Sequence, residues 1–193
     1  MDKNLLENLI LKLKSGNMSA VERIYGLMSK TVYLLSFSIL RNSERAKDIM
    51  QETFIRVIAN VNQYNAGTNV SAWICSIARN LSYKDYNKSK RTVSIELFDD
   101  NIADESSIEG WDNSILLFNA LKILEVEERE VVMLYAIEQY KHREIAQILQ
   151  KPTGTVQWIY SKAIKKLREQ LERQGVYFVK NQMRAEQLKG GLK

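Results

Sequence analysis

The chain has 193 residues, 45% of them hydrophobic and 26% charged, an ordinary globular composition with room for one domain with a sizeable core or for two small ones. One cysteine (Cys75) and one histidine (His142) exclude an internal disulfide and a zinc set, and no nucleophile–base pair or phosphate-cradling glycine loop is visible; no catalysis, metal, cofactor or small-molecule substrate is expected. The formal charge of +5 is uneven, because Thr92 to Asn113 holds seven acids and no Lys or Arg, so the other residues carry +12; basic domains meeting nucleic acid through an acidic connection would look like this, and so would plain solubility.

Eight glycines and one proline in a sequence dominated by 3.6-residue periodicity predict an all-α chain. The start, MDKNLLENLILKLK, sets acids and lysines inside its apolar pattern, so it reads as a short amphipathic helix over Asn4 to Leu13 and not as a signal peptide. Ser19 to Glu22 offers a capping box for a helix running to about Leu40, with Val21, Ile24, Tyr25, Met28, Val32, Leu35 and Ile39 as its core stripe. The longest apolar-rich run, Val32 to Leu40, is too short to cross a bilayer.

Asn42 or Ser43 caps the next helix, whose stripe is Ala46, Met50, Thr53/Phe54, Val57 and Val61. Asp48 and Glu52 stack on another face, where a solvated surface is the simple reading. Asn65 to Asn69 form a polar loop with Gly67 for an unusual backbone angle. The helix after it buries Trp73, Ile74, Ile77, Ala78 and Leu81 while Arg79, Asn80, Tyr83, Lys84, Lys88, Lys90 and Arg91 gather outside and toward its end. Cations interleaved with aromatics suit a nucleic-acid strand, since the charges neutralise phosphates and the rings stack on bases.

Periodicity fails from Thr92 to about Gly110, which reads as a linker carrying Val93, Ile95, Leu97, Phe98 and Ile102 for docking. A second helical domain is expected from about Asp112 to Glu172. Within it, HREIAQILQKPTGTVQWIYSKAIKKLR reads as helix, turn, helix: Pro152 stops the first and Thr153 can cap the second. The second helix buries Val156, Tyr160, Ala163, Leu167 and Leu171 and turns Thr155, Gln157, Trp158, Ser161, Lys162 and Lys165 outward, the pattern of a recognition helix whose first turns reach base edges. Cys75 reads as packing, His142 as a surface residue, and the basic end from Arg173 to Lys193 carries no motif.

The stretches DIMQETF, YNAGTNVSAWI and IARN resemble region 2 of sigma-70-family factors, in particular the extracytoplasmic-function (ECF) group, and the helix-turn-helix resembles region 4. The resemblance implies two small helical domains, residues 1–91 (region 2-like) and 112–172 (region 4-like), joined by an acidic linker over 92–111 and followed by a basic tail over 173–193. It also implies an alternative sigma factor acting in the cytoplasm. Its partners would be the beta-prime and beta subunits of core RNA polymerase, promoter DNA, and an anti-sigma factor that could hold it at the membrane.

Carried onto this sequence, Asp48, Gln51, Glu52 and Phe54 would dock on polymerase. Asn65, Gly67, Thr68, Asn69 and Ser71 would take a freed base of the −10 element, with Trp73, Ile77, Arg79, Asn80, Lys84, Lys88, Lys90 and Arg91 holding the strand. Thr153, Thr155, Gln157, Trp158, Ser161, Lys162 and Lys165 would read the −35 element. The chain departs from the family's usual pattern at Lys47 and Lys84, where acids are common, at Glu125 (proline), at Gln150 (glycine), and at Gln157 and Ile159, where the recognition helix is often basic. Two other readings stay open: a regulator that uses only its helix-turn-helix, and a structural adaptor.

Overall fold

In a computed structural model of the chain, which describes residues 3–92 and 121–173, every regular element is helical. The linker beyond Thr92, the start of the second half up to residue 120 and the tail beyond Arg173 lie outside the described residues.

Helix α1 (Lys3–Lys14) buries Leu6, Leu9, Ile10 and Leu13, one apolar stripe, and its chain turns away at Gly16, whose φ of 89° suits glycine. Helix α2 (Ser19–Leu40) starts differently from the expected capping box. Ser19 is already helical and donates both its N–H (3.0 Å) and its hydroxyl (2.6 Å) to Asn17 Oδ1, so the side-chain acceptor comes from two residues upstream. For α3 (Ser43–Ala59) the cap is Asn42, whose side chain accepts from Arg45 N at 2.9 Å. A 3₁₀ turn (Val61–Gln63) and the loop lead to α4 (Val70–Thr92).

The second half holds α5 (Val126–Val132), a π-helical turn (Met133–Ile137), α6 (His142–Leu149) and α7 (Thr153–Arg173). Glu128 Oε2 accepts Glu125 N at 3.0 Å, so the glutamate found in place of a proline opens α5 from a hydrogen-bonded start. Gln150 sits at φ 53°, ψ 44°, the left-handed turn between α6 and α7, as expected where glycine is common. Thr153 is the first residue of α7.

Helix α2 is the hub. It packs against α1, α3 and α4 on one side and against α5 on the other. That is why Thr31, Val32 and Leu34 to Leu40 are all buried, although the sequence predicts only a stripe. One apolar cluster runs from Leu6 and Ile10 through Ile24, Met28 and Ile74 to Val131, Ile145, Leu149 and Val156, so the two halves share a core. Each fully buried aliphatic side chain in it contributes on the order of 1.5–3 kcal/mol. No described helix is long and apolar enough to cross a membrane.

Candidate functional site

The outer face of α3 leaves Asp48, Gln51, Ile55 and Arg56 exposed and Glu52 half-exposed. Glu52 holds Arg56 at 2.7 Å, and Lys47 at the acid-favouring position pairs with Glu44 at 3.0 Å. Phe54 points the other way: it is 6% exposed and packs on Tyr25, ring centroids 4.8 Å apart, so it supports the face from beneath. Ile55, at 61% exposure, lies on the open side; only its place in the sequence pattern, off the apolar stripe, could have marked it.

The loop after α3 is fixed from α1. Tyr64, almost fully buried, donates its hydroxyl to the Glu7 carboxylate and lies 2.8 Å from the Thr68 carbonyl oxygen. Glu7 Oε1 accepts Gly67 N at 2.9 Å, and Lys14 Nζ donates to Tyr64 O at 3.1 Å. Burial first, then Glu7, pushes the Tyr64 hydroxyl up to about 12. Gly67 takes φ 82°, the backbone angle that calls for glycine. Asn65, Gly67 and Thr68 are exposed, whereas Ser71 is buried at the start of α4. Glu7 and Lys14 went unnoticed in the sequence because their partner Tyr64 lies 57 and 50 residues away.

Helix α4 divides the predicted strand-holding residues between two faces. Trp73, Ile77, Asn80 and Lys84, at i, i+4, i+7 and i+11, line an open groove together with Arg56, Asn60 and Gln63. Trp73 stands against Tyr64, centroids 5.3 Å apart. Lys88 is exposed, and the side chains of Lys90 and Arg91 lie outside the described residues. The acid absent at Lys84 is supplied one residue later: Asp85 pairs with Arg45 of α3 at 2.6 Å.

The other face of α4 meets the second half. Arg79 Nε donates to Glu130 Oε1 at 2.8 Å, and Tyr83 donates its hydroxyl to Glu130 Oε2 at 2.9 Å, with the Glu130 side chain at 0% exposure. Burial works against both charges. For Arg79 the carboxylate outweighs it and raises the guanidinium further, while for Glu130 burial prevails and pushes the carboxyl upward. Asn69 Nδ2 donates to Gln147 Oε1 of α6 at 2.8 Å, Arg129 Nε donates to Ser38 O at 2.8 Å, and Thr31 donates to the Glu138 carboxylate. Between the loop and α6 lies a groove of about 890 Å³ lined by Gly67, Thr68, Asn69, Trp73, Lys141 and Arg143.

On α7, Thr153, Gln157, Trp158, Ser161 and Lys165 are exposed and Thr155 is half-buried. Lys162 turns back toward α5, 3.2 Å from Glu128 Oε1, beside Lys166 at 2.8 Å from Oε2. These lysines outweigh burial and hold the Glu128 carboxyl below its usual range. Ile159 is 4% exposed and belongs to the core, so it does not occupy a base-reading position; it follows Val156 by three residues, on the packed face. His142 is likewise not a surface residue: its ring stacks on Tyr135 (centroids 4.5 Å) and edges onto Tyr160 (5.2 Å). No group of three or more His, Cys, Asp or Glu suited to a metal occurs among the described residues.

Residues 24–92 match the family model for sigma-70 region 2, and residues 120–169 that for sigma-70, region 4. The ECF RNA polymerase sigma factor SigW of Bacillus subtilis (strain 168) is 29% identical over 181 residues, covering 86% of this chain and 97% of that one. The ECF RNA polymerase sigma factor EcfG of Rhodopseudomonas palustris (strain TIE-1) is 31% identical over 136 residues, 68% of this chain and 74% of that one. Among solved structures, CnrH in complex with the cytosolic domain of CnrY aligns with a TM-score of 0.69 at 19% identity, over 88% of this chain and 98% of that one. The likeness extends to the fold.

Proposed function

The chain belongs to the sigma-70 family, in its ECF group, and from that premise we propose how its surfaces share the work of a sigma factor. It is an alternative sigma factor, which binds core RNA polymerase and directs it to promoters for initiation. Factors of this kind are non-catalytic regulators. The reading as a helix-turn-helix regulator that ignores polymerase is not favoured, because residues 24–92 match region 2 as well as 120–169 matching region 4.

In our reading the exposed face of α3, with Asp48, Gln51, Glu52 and Ile55, meets the beta-prime clamp helices, and buried Phe54 holds its shape. The loop 65–69 takes one unstacked base of the −10 element. The open groove of Trp73, Ile77, Asn80 and Lys84 guides the strand, and Arg56, Asn60 and Gln63 join it from α3 and the 3₁₀ turn. Helix α7 reads the −35 duplex through Gln157, Trp158 and Ser161, with Lys165 on phosphate. We take the halves to divide at the acidic segment 92–111, and an anti-sigma protein in the cytoplasm or at its membrane to hold the factor inactive.

The observation that carries this assignment is the opposition of character on neighbouring helices: an acidic exposed face on α3 beside an aromatic and basic groove on α4. It is tested by transcription in vitro. Core polymerase with this protein should initiate at discrete sites on fragments of its source genome. A Trp73→Ala, Asn80→Ala variant should lose those starts while still co-eluting with polymerase; unchanged starts would sink the groove assignment.

A further inference from the structure

The loop between the 3₁₀ turn and α4 owes its placement to a helix outside both. Its internal bonds, from Thr68 N and Thr68 Oγ1 to Asn65 O at 3.2 and 2.8 Å, close a turn without fixing where that turn lies on the protein. Asn69 anchors the far end, its side chain accepting Ala72 N at 3.1 Å. The near end and the apex are set by α1, which precedes the segment matched to region 2. Each oxygen of the half-buried Glu7 carboxylate takes one donor, Oε1 the Gly67 N–H at 2.9 Å and Oε2 the Tyr64 hydroxyl. Two turns further along α1, Lys14 Nζ donates to Tyr64 O at 3.1 Å. The Tyr64 ring in turn stands against Trp73 of the open groove.

We propose that Glu7 is a positioning residue for base selection: through the Tyr64 hydroxyl and the Gly67 N–H it presets the loop in the shape that receives the unstacked base. The inference rests on the reading above in which loop 65–69 takes a base of the −10 element. Ordering a loop at the moment of binding costs affinity, and a loop already held in its binding shape avoids that cost. Glu7 is suited to the task because the helix that presents it is itself fixed, with Leu6, Leu9, Ile10 and Leu13 buried in the core. With the apex held, Asn65 and Thr68 stay exposed at a set spacing, and a base that does not fit gains nothing from a shift of backbone. Hydrogen bonding, not charge, is the working property. A glutamine can stand in: its oxygen accepts the Gly67 N–H, its amide donates to the Tyr64 oxygen, and the Tyr64 hydroxyl turns to the Thr68 carbonyl 2.8 Å away.

The test is run-off transcription by core polymerase with this protein, on a fragment carrying one of its mapped starts, with each −10 position changed in turn to all four bases. The position read by the loop is the one at which an Asn65→Ala, Thr68→Ala variant loses discrimination. Glu7→Ala should flatten discrimination at that same position by roughly tenfold, as expected when the competent loop shape becomes a minor population, and leave the other positions unchanged. Glu7→Gln should retain the parent's discrimination. Tyr64→Phe, which keeps the ring on Trp73 and removes only the hydroxyl, should flatten it in part and serves if Glu7→Ala does not fold. Unaltered discrimination in Glu7→Ala, or an equal loss at every position, would overturn the positioning role. So would Glu7→Gln behaving as Glu7→Ala. No flattening by the Asn65, Thr68 variant would overturn the loop's base-taking role and the brace with it, whereas no starts by the parent would overturn the sigma reading itself.

Discussion

Helices α3 and α4 lie side by side and treat their polar residues in opposite ways. On α3 the acids stand in water, where Asp48 is exposed and Glu52 has only its neighbour Arg56 one turn on. On α4 the corresponding investment is buried: Arg79, 20% exposed, faces a carboxylate at 0%. The first arrangement contributes little to stability and leaves charge free for a partner. The second makes the packing of the two halves depend on one carboxylate, because removing either member of a buried pair strands the other.

The largest expected effect follows from that contrast. Glu130→Ala should cost the packing of the two halves about 3–5 kcal/mol, whereas Glu44→Ala on the exposed start of α3 should stay within about 0.5 kcal/mol. Cys75 reports the difference, since it is fully buried on α4 with Glu138 of the second half nearby. Its maleimide labelling should accelerate roughly 100-fold or more in Glu130→Ala and hardly change in Glu44→Ala, by the conversion of about 1.4 kcal/mol per tenfold. Equal rates in the two variants would remove the contrast.

The same thiol sharpens it with pH. Burial, then Glu138, pushes Cys75 from 9.0 up to about 12. The folded state thus favours the protonated thiol, and that contribution is whole below pH 9 and lost as pH rises from 9 towards 12, at roughly 1.4 kcal/mol per unit. Melting temperature should fall across this window, and Cys75→Ala should remove the part that begins near pH 9. Tyr64, raised from 10.0 to about 12, adds to the fall from pH 10.

On α7 the contrast recurs between two lysines three residues apart. Lys165 is 80% exposed, while Lys162 at 39% shares the Glu128 carboxylate. Lys165→Ala should reduce the salt slope of duplex binding by about 1, and Lys162→Ala by less. The smallest effect is at the turn before α7. Gln150→Gly relieves a left-handed residue and should stabilise the chain by about 1 kcal/mol, read from the urea midpoint.

Much of this was legible in the sequence. The all-α class, the helix-turn-helix and the strained Gln150 turn follow from periodicity, Pro152 and the missing glycine, and the fold confirms each. What sequence could not give was partnership across distance. Arg79 and Trp73 look alike as members of one basic, aromatic helix, and only the packing of α5 separates the paired residue from the open one. Local capping failed at Ser19 because Asn17 competes for the same role with a shorter reach. His142 looked exposed because its two tyrosine neighbours come from elements 7 and 18 residues away.

The most direct measurement is co-elution of the purified protein with core RNA polymerase lacking any sigma, beside the Asp48→Arg, Glu52→Arg variant. The account predicts tight binding by the parent and loss of at least about 100-fold in affinity in the variant, with melting temperature little changed, because exposed charges act on the partner and not on the fold. Equal binding by both proteins would contradict the role given to α3, and no binding by the folded parent would contradict the account as a whole.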